Sequence, residues 1–307
     1  MGKRATDSVW CVKRAAVVVH PRKHRDLAGF RADVTKTMTG QGWAEPLWLE
    51  TTADDTGERL TRTAVESGVD LVISSGGDGT VTACAGAVAG SGVPLGILPS
   101  GTGNLLARNL GLPLNLDAAL AVALTGDERR LDVGVANGRP FVVMAGIGFD
   151  AALLSSVSEE LKKRVGWHAY ALSGLGHLWD RLTRVELRVD GGPPVRRLAS
   201  DVVVGNVGTL QRNLRLLPDA VPDDGLLDVA VITAWGVGAW VGLVLDVLLL
   251  RRKTSRLHRL TCRELVVDSR RPRPWEVDGE VAGITRQLRV SVKPGDLLVR
   301  VPGPGHH

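Results

Sequence analysis

Two glycine-rich loops follow directly on strand-like segments. Val69 to Ser75 runs into Gly76-Gly77-Asp78-Gly79-Thr80, and Val93 to Leu98 runs into Pro99-Ser100-Gly101-Thr102-Gly103-Asn104. Glycines let backbone N–H groups approach an anion closely and form a nest for phosphate oxygens. A helix beginning at such a loop adds the favourable end of its dipole. Asp78 would repel bare phosphate, so it makes sense beside Mg2+ or as a base taking a proton from an attacking hydroxyl. A plain tight turn is the competing reading of the first loop. The second loop weighs against it, because two such loops at one sheet edge make one pocket, with Thr102 and Asn104 as neutral hydrogen-bond donors. Neither loop has the Gly-Lys-Ser/Thr ending of a Walker A motif, and no G-x-G-x-x-G follows the first strand, which disfavours a dinucleotide dehydrogenase.

The surrounding elements place these loops. Ala15 to His20, Pro46 to Leu49, Val69 to Ser74 and Val93 to Leu98 read as strands; Asp26 to Thr39, Gly57 to Ser67 and Ala83 to Ala89 read as helices between them. Such alternation predicts βαβ units and a parallel sheet covered on both faces. Ligands of such sheets sit beyond the carboxyl ends of the strands. After about Arg130 the pattern changes to short strands with turns: Val133–Val135, Pro140–Val143, Val185–Val189, Asp201–Val204, Leu226–Ile232, Arg263–Asp268, Trp275–Asp278 and Gln287–Val292. One helical stretch near Ala151 to Thr183 interrupts them. The expected architecture is an α/β nucleotide-binding domain, residues 1–130 completed by 296–307, and a β-rich, mostly antiparallel domain over 131–295.

The chain has 307 residues, 44% of them hydrophobic and 23% charged, which excludes a disordered chain, a collagen-like fibre or a disulfide-stapled miniprotein. Its net charge of +5 is a local feature. Residues 251–274 hold nine Lys or Arg and two acids, so that window is +7 and the rest sums to −2. Cys11, Cys84 and Cys262 lack metal spacing and fit a reduced, cytoplasmic setting. The apolar run Ala15 to Val19 is too short for a signal sequence. The window Ala234 to Leu250 is apolar apart from Asp246, but its 17 residues fall short of the roughly 20 needed to span a bilayer. It reads as a helix packed on the second domain with part of its face open to lipid. Trp235, Trp240 and Trp275 suit a membrane interface, and the basic window suits anionic headgroups; a core helix beside a solvated basic face is the competing reading. No stacking motif interleaves the basic residues, so nucleic acid is not an expected partner.

The two glycine loops, followed by Leu110-Gly111-Leu112-Pro113, Gly146-Ile147-Gly148-Phe149-Asp150, Asp223-Asp224-Gly225-Leu226-Leu227-Asp228 and Val277-Asp278-Gly279-Glu280, resemble the diacylglycerol kinase and sphingosine kinase superfamily, closest to its bacterial soluble lipid kinases. The resemblance spans nearly the whole chain in the family's order. It implies a first domain related to NAD kinases, a β-rich domain that helps hold lipid, and transfer of the ATP γ-phosphoryl group to a lipid hydroxyl such as that of diacylglycerol. On that model Gly76, Gly77, Gly79 and Thr80 cradle phosphates, while Gly101, Thr102, Asn104 and Thr52 lie near the nucleotide. Asp78 and Glu280 are the alternatives for activating the hydroxyl. Asp224, with backbone oxygens of Val221 and Leu226, would hold a structural Mg2+. The sequence departs from the family at His20 for the usual Asn before Pro21, at Thr82-Ala83 for the common Asn-Glu, and at Leu105 for an acid. The departures at Thr82, Ala83 and Leu105 raise a non-catalytic lipid or nucleotide sensor as the alternative function; an NAD kinase is disfavoured by the Pro99 to Asn104 loop. Expected partners are a lipid substrate and the anionic inner membrane face, contacted peripherally from the cytoplasm, with a homodimer left open.

Overall fold

A computed structural model describes residues 12–148, 182–209, 215–249, 254 and 256–303. The expected strand–helix alternation fills the first third. Strands β1 (Ala15–Val19), β2 (Leu47–Glu50), β3 (Leu71–Gly76) and β4 (Leu95–Pro99) pair in parallel, in the order β4-β3-β1-β2. Both β1 and β3 are buried along their whole length, as an apolar strand covered on two faces must be. Helix α1 (Leu27–Gly40) starts at Asp26, whose carboxylate accepts from the Gly29 amide at 2.9 Å. Helices α2 (Glu58–Glu66), α3 (Asp78–Val88) and α4 (Leu105–Asn109) follow, then α5 (Leu116–Thr125), which buries Ala119, Leu120 and Leu124 against the sheet.

The second half is antiparallel. It comprises β5 (Asp127–Ala136), β6 (Arg139–Phe141), β7 (Met144–Ile147), β8 (Thr183–Val189), β9 (Val195–Ala199), β10 (Asp201–Gly205), β11 (Leu227–Ile232), β12 (Leu257–Cys262), β13 (Glu264–Val277) and β14 (Glu280–Val301). Strand β14 has 22 residues and serves both halves. Its first part pairs with β13; its end pairs with β5 and meets β4 in parallel at Val299 and Leu95. One continuous sheet therefore ties the two halves together, and the β13–β14 hairpin carries its tip toward the carboxyl ends of β3 and β4.

Helix α6 (Val237–Leu248) covers one face of the second half, burying Leu243 and Val247 against Val203, Ala230, Ile232 and Leu257. Asp246, the one charge in this apolar stretch, is buried and accepts from Thr254 Oγ1 at 2.6 Å and Arg256 Nη1 at 3.2 Å. Its charge is paired inside the protein, as a buried carboxylate requires.

The membrane-facing reading of three tryptophans is corrected in part. Trp235 is 56% exposed, but Trp275 is only 7% exposed and lies in the second core with the Arg139 guanidinium 5.8 Å from its ring. Trp240 is half-buried, with its indole nitrogen enclosed. The basic window is also divided. Arg273 is buried and donates to the Ala199 and Gly148 carbonyls, Arg259 donates to Leu216 O, and Arg256 pairs with Asp246, whereas Arg263, Arg270 and Arg271 stay exposed. The helical stretch expected near 151–183 lies outside the described residues apart from its end, where Thr183 begins β8. Among the described residues, no helix is long and apolar enough to cross a membrane.

Candidate active site

The two glycine loops lie side by side where the parallel strands β3 and β4 end. The loops after β3 and β4 pack backbone against backbone: a Cβ on Gly101 would stand 2.8 Å from Gly77 Cα, and Ser100 N donates to Gly76 O at 3.0 Å. This approach demands glycine at 101. Thr80 is buried, with its side chain filling the space beside Gly76, where a Cβ would lie 2.7 Å from Thr80 Oγ1. Gly77 and Gly79 form the open rim. Helix α3 begins at Asp78, so the first-turn amides point toward this rim.

Asp78 does not face open space. Its Oδ2 accepts from Asn104 N at 2.9 Å and its Oδ1 from Leu105 N at 2.6 Å. The carboxylate thus caps the start of α4 and fastens the second loop to the first. Both of its oxygens are thus taken up by backbone donors. Asn104 takes a left-handed conformation, φ 50°, and its amide closes its own loop: Oδ1 accepts from Gly101 N at 3.0 Å and Nδ2 donates to Gly101 O at 2.9 Å. Asn104 thus closes its own loop with one Nδ2 hydrogen and Oδ1, and the second Nδ2 hydrogen is the one that could serve a nucleotide as expected. Thr102 is exposed on the rim. Thr52 is exposed beyond β2, where its hydroxyl accepts from Asp55 N at 3.1 Å.

Glu280 arrives from the other half. Asp278 and Gly279 form the hairpin turn, with φ 47° and 85°, the left-handed pair that a tight two-residue hairpin needs. A Cβ on Gly79 would lie 2.5 Å from Glu280 Oε1, so this carboxylate stands directly over the glycine loop. It is exposed, and no hydrogen bond or ion pair holds it among the described residues. Asp278 is the anchor. Its carboxylate accepts from Thr82 Oγ1 at 2.7 Å and from the amides of Val142, Val143 and Met144 at 3.1, 2.9 and 2.8 Å. Full burial pushes the Asp278 carboxyl up, and these four donors act against that push. Asp278 has no sequence signal beyond its place beside Glu280. Thr82, a departure from the family pattern, is here the joint between α3 and the hairpin.

The Asp224 loop lies apart from this rim. Asp132 fixes it, accepting from Gly225 N at 2.6 Å and Gly295 N at 2.8 Å. Arg129 holds Asp223 at 2.8 Å, which keeps the Asp223 carboxyl below its ordinary range. Asp224 Oδ1 accepts from Leu226 N at 2.9 Å, leaving its second oxygen to a ligand, and Val221 and Leu226 flank it on the same loop. Asp228 is pushed up to about 6, first by burial and then by the charges of Asp224 and Asp219. This crowding of negative charge fits a divalent cation on Asp224. A cavity of about 700 Å³ opens beside the loop, lined by Arg130, Asp132, Asp224, Arg263, Glu264 and Pro294 among others.

The chain is similar to known proteins over most of its length. Residues 14–136 match the diacylglycerol kinase catalytic domain, and residues 142–301 match the YegS C-terminal NAD kinase beta sandwich-like domain. The chain belongs to the YegS-like lipid kinase family. A Pseudomonas aeruginosa protein named "Probable lipid kinase YegS-like" is 34% identical over 81% of this chain and 82% of its own length. Its namesake in Pseudomonas syringae pv. tomato is 30% identical over 94% of both. A diacylglycerol kinase structure from Bacillus anthracis superposes with a TM-score of 0.70 at 21% identity, covering 96% of this chain and 98% of that one. An Archaeoglobus fulgidus NAD kinase in complex with ATP superposes at 0.52 with 13% identity, covering 94% and 93%. The NAD kinase-like first domain and the β-sandwich second domain are thus the family's fold. A kinase family implies phosphoryl transfer from a nucleoside triphosphate.

Proposed function

We propose that this YegS-like kinase transfers the γ-phosphoryl group of ATP to the hydroxyl of diacylglycerol or a closely related lipid. The observation that carries the reading is Glu280 over Gly79: an unengaged carboxylate from the second half facing a phosphate-binding loop of the first. Of the two carboxylates, Asp78 is committed to the α4 amides, so Glu280 is the group that takes the hydroxyl proton. The lipid oxygen then forms a bond to the γ-phosphorus, the bond to the β–γ bridging oxygen breaks, and ADP leaves with the displaced charge. Catalysis of this kind is positioning and charge neutralisation. Gly77, Gly79 and the α3 amides bind phosphate oxygens; Gly101 and Thr102 shape the second wall. A Mg2+ ion, when bound, would neutralise charge on the phosphates or brace the fold. Asp224, with the Val221 and Leu226 carbonyls, supplies the bracing site.

Access to lipid would come from α6. Val241, Leu245 and Leu249 are 54, 51 and 62% exposed at helical spacing of four, beside exposed Trp235, and Arg251, Arg252 and Lys253 follow in the sequence. This stripe would rest on an anionic membrane face. The non-catalytic alternative drew on Thr82, Ala83 and Leu105; of these, the Thr82 side chain has a part in placing the hairpin, since its hydroxyl donates to Asp278. The test is incubation with γ-labelled ATP, Mg2+ and a panel of diacylglycerol, sphingoid and phosphatidylglycerol lipids, alongside NAD. Labelled lipid supports the reading; nucleotide binding with no lipid labelled, or label on NAD alone, defeats it.

A further inference from the structure

One face of the β13–β14 hairpin is apolar and cationic at once. Ile284 is 75% exposed and Val281 42%. Strand pairing puts both on one side. Pro274 pairs with Ile284, Trp275 with Gly283 and Glu276 with Val281, so Ala282 is an extra residue in β14. Pro274 and Glu276, two apart on β13, share a face, and their partners Ile284 and Val281 share it with them. Gly283 takes up the irregularity at φ 142°, a conformation that glycine adopts readily. Trp275 and Val277 alternate to the other face, where they join the second core. The hairpin thus buries large side chains on one face and leaves two aliphatic ones uncovered on the other.

A second irregularity adds charge. Pairing passes from Arg273–Thr285 directly to Asp268–Gln287, so residues 269–272 bulge opposite Arg286 alone. Arg270 and Arg271 ride on this bulge, and Arg286 lies two residues beyond Ile284 on its face; all three are exposed. No ion pair or side-chain hydrogen bond engages them among the described residues. The acids of this stretch are placed elsewhere. Asp268 is shared by Arg188 at 3.7 Å and Gln287 at 2.6 Å, Glu276 and Asp278 are buried, and Glu280 stands at the tip over Gly79. Open aliphatic side chains beside unpaired arginines match a bilayer with anionic headgroups: the aliphatic groups enter the acyl boundary and the guanidiniums meet phosphates. A second copy fits less well, because a two-fold contact through this face would set the same cations against each other.

We propose that this face of the β13–β14 hairpin docks on an anionic membrane surface, a contact separate from the α6 stripe and made by the element that carries Glu280. Its use in turnover rests on the lipid kinase reading given above; the contact itself is measured without turnover. The test is co-sedimentation with phosphatidylcholine vesicles, with and without phosphatidylglycerol, of wild type, Ile284→Ser and the double variant Arg270→Gln/Arg271→Gln. Each protein is confirmed folded by its melting temperature and sized by analytical ultracentrifugation. Wild type should bind the anionic vesicles, more weakly as salt rises. Loss of two arginines should weaken that binding roughly twentyfold to thirtyfold, at about fivefold per charge. Ile284→Ser should weaken it about tenfold, and neither variant should change the oligomeric state. Variants that bind like wild type, or that alter only the oligomeric state, overturn the hairpin assignment and leave the kinase reading intact. Wild type that binds neither vesicle overturns the hairpin contact and the α6 stripe together.

Discussion

Replacing Asp278 with alanine should unfasten the β13–β14 hairpin that carries Glu280. Its carboxylate accepts four hydrogen bonds, one from the Thr82 hydroxyl and three from consecutive amides of the β6–β7 connection. Removing it leaves four donors without an acceptor in a site that is 8% exposed. Each unsatisfied buried donor costs about 1–3 kcal/mol, and some will rotate or recruit water, so the net loss should be about 3–5 kcal/mol. Urea denaturation followed by tryptophan fluorescence measures it. Thr82→Val removes one donor and should cost about 1 kcal/mol. In the double variant the two losses should fall short of additivity by about that amount, since both act on one bond. Asp278→Ala within 1 kcal/mol of wild type, or strict additivity with Thr82→Val, would refute the anchor argument.

Other perturbations probe the remaining parts. Gly79→Ala directs a methyl group at Glu280 Oε1, the end of a movable side chain, so kcat should fall at least tenfold with stability changed by less than about 1 kcal/mol. Gly101→Ala meets backbone instead and should weaken ATP binding, measured by titration with a fluorescent ATP analogue. Glu276 is buried near Asp201 and Asp278, and burial followed by those charges pushes its carboxyl from 4.5 up to about 7. The native state then holds this proton more tightly than the unfolded chain, so stability is greatest in acid and declines as pH rises from about 4.5 to 7. The loss is worth about 3 kcal/mol; Glu276→Gln should flatten the urea-midpoint profile over that window and be the more stable form at pH 8. Mg2+ at millimolar levels should raise the melting temperature of wild type, and Asp224→Ala should abolish the rise.

The sequence carried the strand–helix alternation because each parallel strand is short, apolar and bounded by glycine or proline. Helix α5 escaped notice: its run of Leu and Ala is buried broadly and shows no polar face to mark a period. The glycine loops were legible as tight turns ending two parallel strands at one sheet edge, but the commitment of Asp78 was not, since its partners lie 26 and 27 residues away on backbone amides. Nor could spacing place Glu280 over Gly79, about two hundred residues earlier in the chain. Trp275 misled through its arginine-rich flank. The two-residue period of a strand puts it inward with Arg273 and Val277, and that alternation was the available signal.

In the proposed function, Glu280 activates a lipid hydroxyl against ATP held on the glycine loop. Transfer of labelled γ-phosphate to diacylglycerol vesicles by wild type and Glu280→Gln, with ATP affinity measured in parallel, tests it most directly. Wild type should label the lipid, and Glu280→Gln should lower kcat at least about a hundredfold at unchanged ATP affinity, the scale of a lost general base. Equal turnover by the two proteins would contradict it.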